Sequence, residues 1–234
     1  MKSVIELLNA IRHNPGIIEK NSLEYLQSFL HGWNYRRPDE DLDGNFSVDF
    51  RAWVQKSYGI VDNKHSWSDI IRFFEKGHDE LNIFFRVFDR WEKERHTNTS
   101  ANKMSTENSA EINSTNTVYN VQGEYPASIR TFPLYSMDSV IELLNFIEPR
   151  PALYIKKNSI TCLKAFIEGW GLRDLVALKK DGFREKFEGW IEERSGISDG
   201  HTWNEIILFY SNDESHALSN FFTLFNEWKK EKGN

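Results

Sequence analysis

His65-Ser-Trp67 and His201-Thr-Trp203 place a histidine two residues ahead of a tryptophan at two points of the chain. An imidazole titrates near neutral pH, so a histidine that recurs in one context is a candidate general base. A base of that kind needs a nucleophile or a carboxylate constellation beside it, and none accompanies both occurrences. The two read instead as loop histidines, each beside a tryptophan packed at a helix start. No HxxxH or HExxH spacing is present, which leaves a metal site without support. The one cysteine, Cys162, excludes an intramolecular disulfide and a cysteine-based zinc site, and it reads as a small buried apolar residue on a helix. No phosphate loop of the form GxxxxGK[ST] occurs. The sequence therefore assigns no catalytic residue, no metal and no cofactor.

The remaining chemistry is charge. Asp39, Glu40, Asp41 and Asp43 form an acidic loop. Its order is not that of an EF-hand, which also needs a distant glutamate. The formal net charge of −6 argues against nonspecific nucleic-acid binding, which depends on a surplus of lysine and arginine. It is compatible with a basic protein partner. The four acidic residues are the candidate partner-binding positions.

The elements that carry these residues are written twice. Residues 3–9 and 139–145 both read Ser-Val-Ile-Glu-Leu-Leu-Asn, and the same landmarks follow each copy in the same order. Val4, Ile5, Leu7, Leu8 and Ile11 recur at helical spacing, as do Val140, Ile141, Leu143, Leu144 and Ile147. A second helix starts near Asn21-Ser22, or Asn158-Ser159, and Gly32-Trp33, or Gly169-Trp170, closes it. A third carries Phe50, Trp53, Val54 and Tyr58, answered by Phe187, Trp190 and Ile191. Ser66-Trp-Ser-Asp69 and Thr202-Trp-Asn-Glu205 read as capping boxes that open a fourth helix, which in the first copy carries Ile70, Ile71, Phe73 and Phe74 as its apolar positions. The stripes Phe84/Phe85/Phe88/Trp91 and Phe221/Phe222/Phe225/Trp228 give a fifth, read as core rather than as a ligand pocket. The expectation is an all-α protein of two modules, about five helices each, at residues 1–95 and 137–234. Residues 96–136, rich in Ser, Thr and Asn, are expected as a flexible linker.

The loop after the second helix is where the copies differ most. It is acidic at 39–43 but mixed apolar and basic at 173–181. One fold with divergent loops suits two modules with different contact surfaces. Glu6 interrupts the stretch where a signal peptide would be apolar, and no run reaches the roughly 18 apolar residues of a membrane span, so the expected compartment is the cytoplasm.

The pattern Ile147-x3-Pro151-x2-Tyr154-Ile155-x-Lys157-x-Ser159-Ile160-x2-Leu163-x2-Phe166-x2-Gly169-Trp170 resembles small, acidic bacterial immunity proteins of polymorphic-toxin systems. So does Trp-x2-Ile-Ile-x-Phe at 67–73 and 203–209. The first copy departs from the pattern, with Ile18 where the second has Tyr154. The resemblance rests on packing and capping residues. It implies a cytoplasmic, non-catalytic protein that binds and blocks a cognate toxin, with no role for nucleic acid or membrane. An enzyme with a site in the cleft between the modules, and a regulatory scaffold, are the alternatives from other classes. The capping boxes are directly testable. Ser66→Ala and Thr202→Ala should each lower stability by about 0.5–2 kcal/mol, read by chemical denaturation.

Overall fold

The computed structural model describes residues 3–36, 46–62, 64–106, 137–180 and 182–232. Every regular element among them is helical. The first copy holds α1 (Val4–His13), a 3-10 turn (Pro15–Ile17), α2 (Leu23–Arg36), α3 (Phe46–Tyr58), α4 (Trp67–Phe74) and α5 (Glu80–Thr106). The second holds α6 (Val140–Ile147), α7 (Pro151–Ile155), α8 (Ile160–Arg173), α9 (Leu175–Lys180), α10 (Phe183–Ser195), α11 (Trp203–Phe209) and α12 (Glu214–Lys232). The protein is all-α, as the periodicity indicates.

Local chemistry sets most of the boundaries. Ser3 and Ser139 accept from the backbone N–H groups of Glu6 and Glu142 at 3.1 and 3.3 Å, which caps α1 and α6. At α4, Asp69 N donates to Ser66 Oγ and Ser66 N to Asp69 Oδ2, each at 3.2 Å, so this capping box closes reciprocally. At α11 the Glu205 carboxylate accepts from the Thr202 N–H and hydroxyl at 3.0 and 2.9 Å. Gly59 and Gly196 follow α3 and α10 with φ of 69° and 72°, the left-handed turn that glycine takes most easily.

Three expectations need correction. The stretch 173–181 is not simply a loop, because Asp174 caps α9 there. Its Oδ1 accepts from Val176 N and Ala177 N at 3.1 and 3.0 Å. Helix α5 runs on to Thr106, into the stretch expected as linker. Extending a formed helix costs each Ser, Thr or Asn only a few tenths of a kcal/mol, roughly, whereas starting one is hard. Residues 107–136 lie outside the described ones. Lastly, Gly32 and Gly169 do not close their helices. Both sit inside them, with α2 reaching Arg36 and α8 reaching Arg173.

Those glycines stay helical because of what they touch. The described helices gather into two compact units, Met1–Gly44 with Pro133–Asn234, and Asn45–Phe132. The units cut across the sequence copies, since α1 and α2 lie in the unit that holds the whole second copy. The contact between α2 and α8 is the largest within that unit. A Cβ on Gly32 would stand 2.0 Å from the carbonyl oxygen of Phe166, and one on Gly169 would stand 1.9 Å from that of Phe29. Gly32 and Gly169 are equivalent positions of the two copies, and so are Phe29 and Phe166. The contact is thus reciprocal, with an approximate twofold between the helices. Arg36 lies over the Trp170 ring, 4.7 Å from its centroid, and Arg173 over Trp33 at 3.6 Å, another reciprocal pair. Arg36, itself buried, also donates to Met137 O at 2.5 Å and to Asp174 Oδ2 at 2.6 Å. This ties the end of α2 to the starts of α6 and α9.

Around each copy's last three helices the aromatic positions build a core with nearly the same geometry. Phe50 meets Phe84 at 5.7 Å and Trp91 at 5.6 Å; Phe187 meets Phe221 at 5.5 Å and Trp228 at 5.6 Å. Trp53 Nε1 donates to Glu94 at 2.8 Å, and Trp190 Nε1 to Glu231 at 2.7 Å.

Glycine substitutions separate contact from propensity. Gly32→Ala and Gly169→Ala should each cost about 1–3 kcal/mol or more, because backbone blocks the new methyl. Gly189→Ala, inside α10 with open space around it, should instead gain about 0.5–1 kcal/mol. Urea unfolding of the three variants checks the contrast.

Candidate functional site

The positions singled out in the sequence are dispersed. Asp39, Glu40, Asp41 and Asp43 lie outside the described residues. His65 is exposed, with Nδ1 3.0 Å from Asp62 Oδ1, and His201 is exposed with Nε2 3.4 Å from Asp199. Neither is brought to a nucleophile. Trp67 and Trp203 beside them are buried. The stripes of α5 and α12 are buried as well, in keeping with core.

The aromatic residues at the ends of α4 and α11 behave otherwise, and correct the assignment of Phe73 and Phe74 to the apolar interior. Phe73 is 79% exposed and Phe74 43%, while in the other copy Phe209 is 75% exposed and Tyr210 60%. In each helix the preceding Trp-x2-Ile-Ile residues take the inward positions. After one intervening residue, Arg72 or Leu208, the two aromatic side chains fall at the helix end, where no neighbouring helix covers them fully. The ring pairs have one geometry: Phe73 and Phe74 are 5.0 Å apart and inclined at 80°, and Phe209 and Tyr210 are 5.1 Å apart, also at 80°.

Beside the second pair lies an open groove of about 500 Å³. Its floor is Ile191, Ile206 and Ile207, with Leu224 and Tyr210 as walls. Ser195, Arg194, Asn220 and Thr223 add polar atoms. Arg194 pairs with Glu227 at 2.7 Å, and Asn220 Nδ2 donates to Ser211 Oγ at 2.9 Å. In the first copy Tyr58 occupies the place of Ser195. Its ring stacks on Phe74 at 5.1 Å and 25°. Its hydroxyl donates to Glu75 Oε1 at 2.5 Å and accepts from Arg90 Nη2 at 2.7 Å. Burial, with the Glu75 hydrogen bond, pushes that phenol up to about 12.

Buried polar groups flank the α2–α8 contact. Lys164, 3% exposed, pairs with Glu19 and with Glu168, and Glu168 accepts from the Tyr25 hydroxyl. Burial pushes the Tyr25 phenol up, which keeps it protonated and neutral, and pushes Lys164 down against the opposing charge of Glu168. Cys162 is buried, and burial raises its thiol, which makes it a packing group rather than a nucleophile. His31 on α2 is 6% exposed, and its Nδ1 has no hydrogen-bond partner. Desolvation, helped by the charge of Lys156, lowers it to about 3. No periodicity in the sequence marks these groups, because their burial depends on a helix far along the chain.

Compared with family models, curated proteins and solved structures, the chain matches none, so the reading of this surface rests on its own geometry.

The depressed His31 has a pH consequence with a definite sign. Between its ordinary value of 6.5 and about 3, the unfolded chain takes up a proton that the folded one refuses. Stability contributed by neutral His31 is therefore lost as pH falls through that window. His31→Gln should flatten this part of the profile, measured as the wild-type minus variant difference in urea midpoints from neutral pH down to about pH 4.

Proposed function

We propose that this chain is a non-catalytic protein-binding protein, and that it acts in the cytoplasm as an immunity-type inhibitor of a cognate toxin. The observation that carries the proposal is the exposed aromatic pair held at the same place in both copies. Exposed large aromatic rings are unfavourable in water, and they are enriched at the centres of protein interfaces. Loop sequence differs freely between the copies, yet Phe73-Phe74 and Phe209-Tyr210 keep both type and ring geometry. Among the described residues no helix is long and apolar enough to cross a membrane. The net charge of −6 suits a basic partner, and the acidic loop at 39–43 supplies the means of steering it.

The test is association with the product of the adjacent reading frame, followed at low and at physiological salt. Phe73→Ser with Phe209→Ser should speed dissociation by about tenfold or more while moving stability by no more than about 0.5 kcal/mol. Replacing Asp39, Glu40, Asp41 and Asp43 by their amides should slow association at low salt and flatten its salt dependence. Absence of binding by the wild-type protein rejects the inhibitor reading.

A further inference from the structure

We propose that the groove between the ends of α10 and α11 and the middle of α12 receives a tyrosine side chain from a partner polypeptide. The inference rests on the protein-binding reading for the source of the ring. For the shape of the site it rests on the first copy, where the chain supplies such a ring itself.

The two three-helix groups correspond closely enough for a position-by-position comparison. Phe46 and Phe50 stack at 5.3 Å, as Phe183 and Phe187 do at 5.1 Å. Phe84 and Phe88 stand 5.8 Å apart, and Phe221 and Phe225 5.9 Å. The exposed pairs agree to 0.1 Å, at 5.0 and 5.1 Å. On this common frame Tyr58 corresponds to Ser195, Phe74 to Tyr210, Glu75 to Ser211, Ile83 to Asn220 and Arg90 to Glu227.

The first copy shows what fills the place beside the wall ring. Tyr58 stacks face to face on Phe74, and its hydroxyl is held between Glu75 and Arg90. In the second copy the wall ring remains as Tyr210, 60% exposed, and the ring that would lie on it is reduced to the hydroxymethyl of Ser195. What is left is the apolar floor and an open volume of about 500 Å³, within the roughly 300–1,000 Å³ of ordinary ligand sites.

The polar positions that serve the Tyr58 hydroxyl change along with it. Glu75 becomes Ser211, which already accepts from Asn220, and Arg90 becomes Glu227, paired with Arg194. A phenol entering here meets the Tyr210 face for its ring. For its hydroxyl the lining offers the Asn220 amide and the Arg194 guanidinium as donors and the Thr223 hydroxyl as an acceptor. An aliphatic side chain would satisfy the floor but offer the Tyr210 face no ring to stack on. The groove is open along its length rather than closed over, and Phe209 stands exposed beside it. A polypeptide can continue across that ring, which a free phenol cannot do.

The experiment uses the full chain with labelled isoleucine and leucine methyl groups. It is titrated with a Gly-Ser peptide carrying one tyrosine, with the same peptide carrying leucine, and with p-cresol. The tyrosine peptide should shift the methyl signals of Ile206, Ile207 and Leu224 while Ile70 and Ile71 stay in place, and the leucine peptide should shift none. Ser195→Tyr, which installs the side chain already tolerated at position 58, should raise the thermal midpoint and weaken the tyrosine peptide by about tenfold or more. Tyr210→Ala, at an exposed position that does not endanger folding, should weaken it comparably. A response to p-cresol alone overturns the polypeptide source, and no response to either probe overturns the site. An unchanged titration in both variants also overturns it. Should Ser195→Tyr leave binding to the adjacent gene product intact while the Phe73/Phe209 changes abolish it, the groove inference falls and the proposed function stands.

Discussion

The contact on which the larger unit depends is the close approach of α2 and α8 at Gly32 and Gly169. Each glycine faces the carbonyl of the other helix's phenylalanine, Phe166 or Phe29, at a distance that a side chain would forbid. Close backbone approach lets Cα–H groups meet carbonyl oxygens and brings many side-chain atoms into contact. It also explains why the opening helices of the first copy lie with the second. Their glycine-bearing faces are self-complementary, so each copy finds its best partner in the other. The cost of a glycine within a helix, about 1 kcal/mol relative to alanine, is offset by what the approach allows.

The symmetry holds at the centre of this contact and breaks at its flanks. Trp33 and Trp170 take reciprocal cations from Arg173 and Arg36. Further out, Lys164 and Glu168 on α8 correspond to Gln27 and His31 on α2. One flank holds a network in which buried Tyr25 and Lys164 meet half-buried Glu168 and the more exposed Glu19. The other holds a neutral histidine kept from protonation by burial. Backbone approach tolerates no change, whereas side-chain chemistry beside it can diverge as long as each side satisfies its own charges.

The same division between a preserved frame and a changed surface runs through the three-helix groups. The Phe and Trp positions that face inward keep their ring distances to within tenths of an ångström in most pairs. The change from Tyr58 to Ser195 opens a groove in one group where the other is filled. A contact surface made this way needs no new fold. It needs only the removal of one ring from a site whose remaining walls the core holds rigid.

The sequence by itself determined the helical class, the capping boxes at Ser66 and Thr202, and the aromatic cores, because these depend on residues within a few positions of one another. Local spacing says which side chains share a helix face, and four turns of such a face are enough to mark a core. It does not say where that face ends. Phe73, Phe74, Phe209 and Tyr210 follow the apolar rhythm of α4 and α11 and are nevertheless exposed, because cover at a helix end comes from neighbouring helices. Gly32 and Gly169 read as helix ends for a related reason: locally a glycine is a breaker, and only a partner helix turns it into a point of contact. The burial of His31 and Lys164, and the groove itself, were likewise decided by tertiary structure. Each depends on the distance between residues far apart in the chain, which no local pattern encodes.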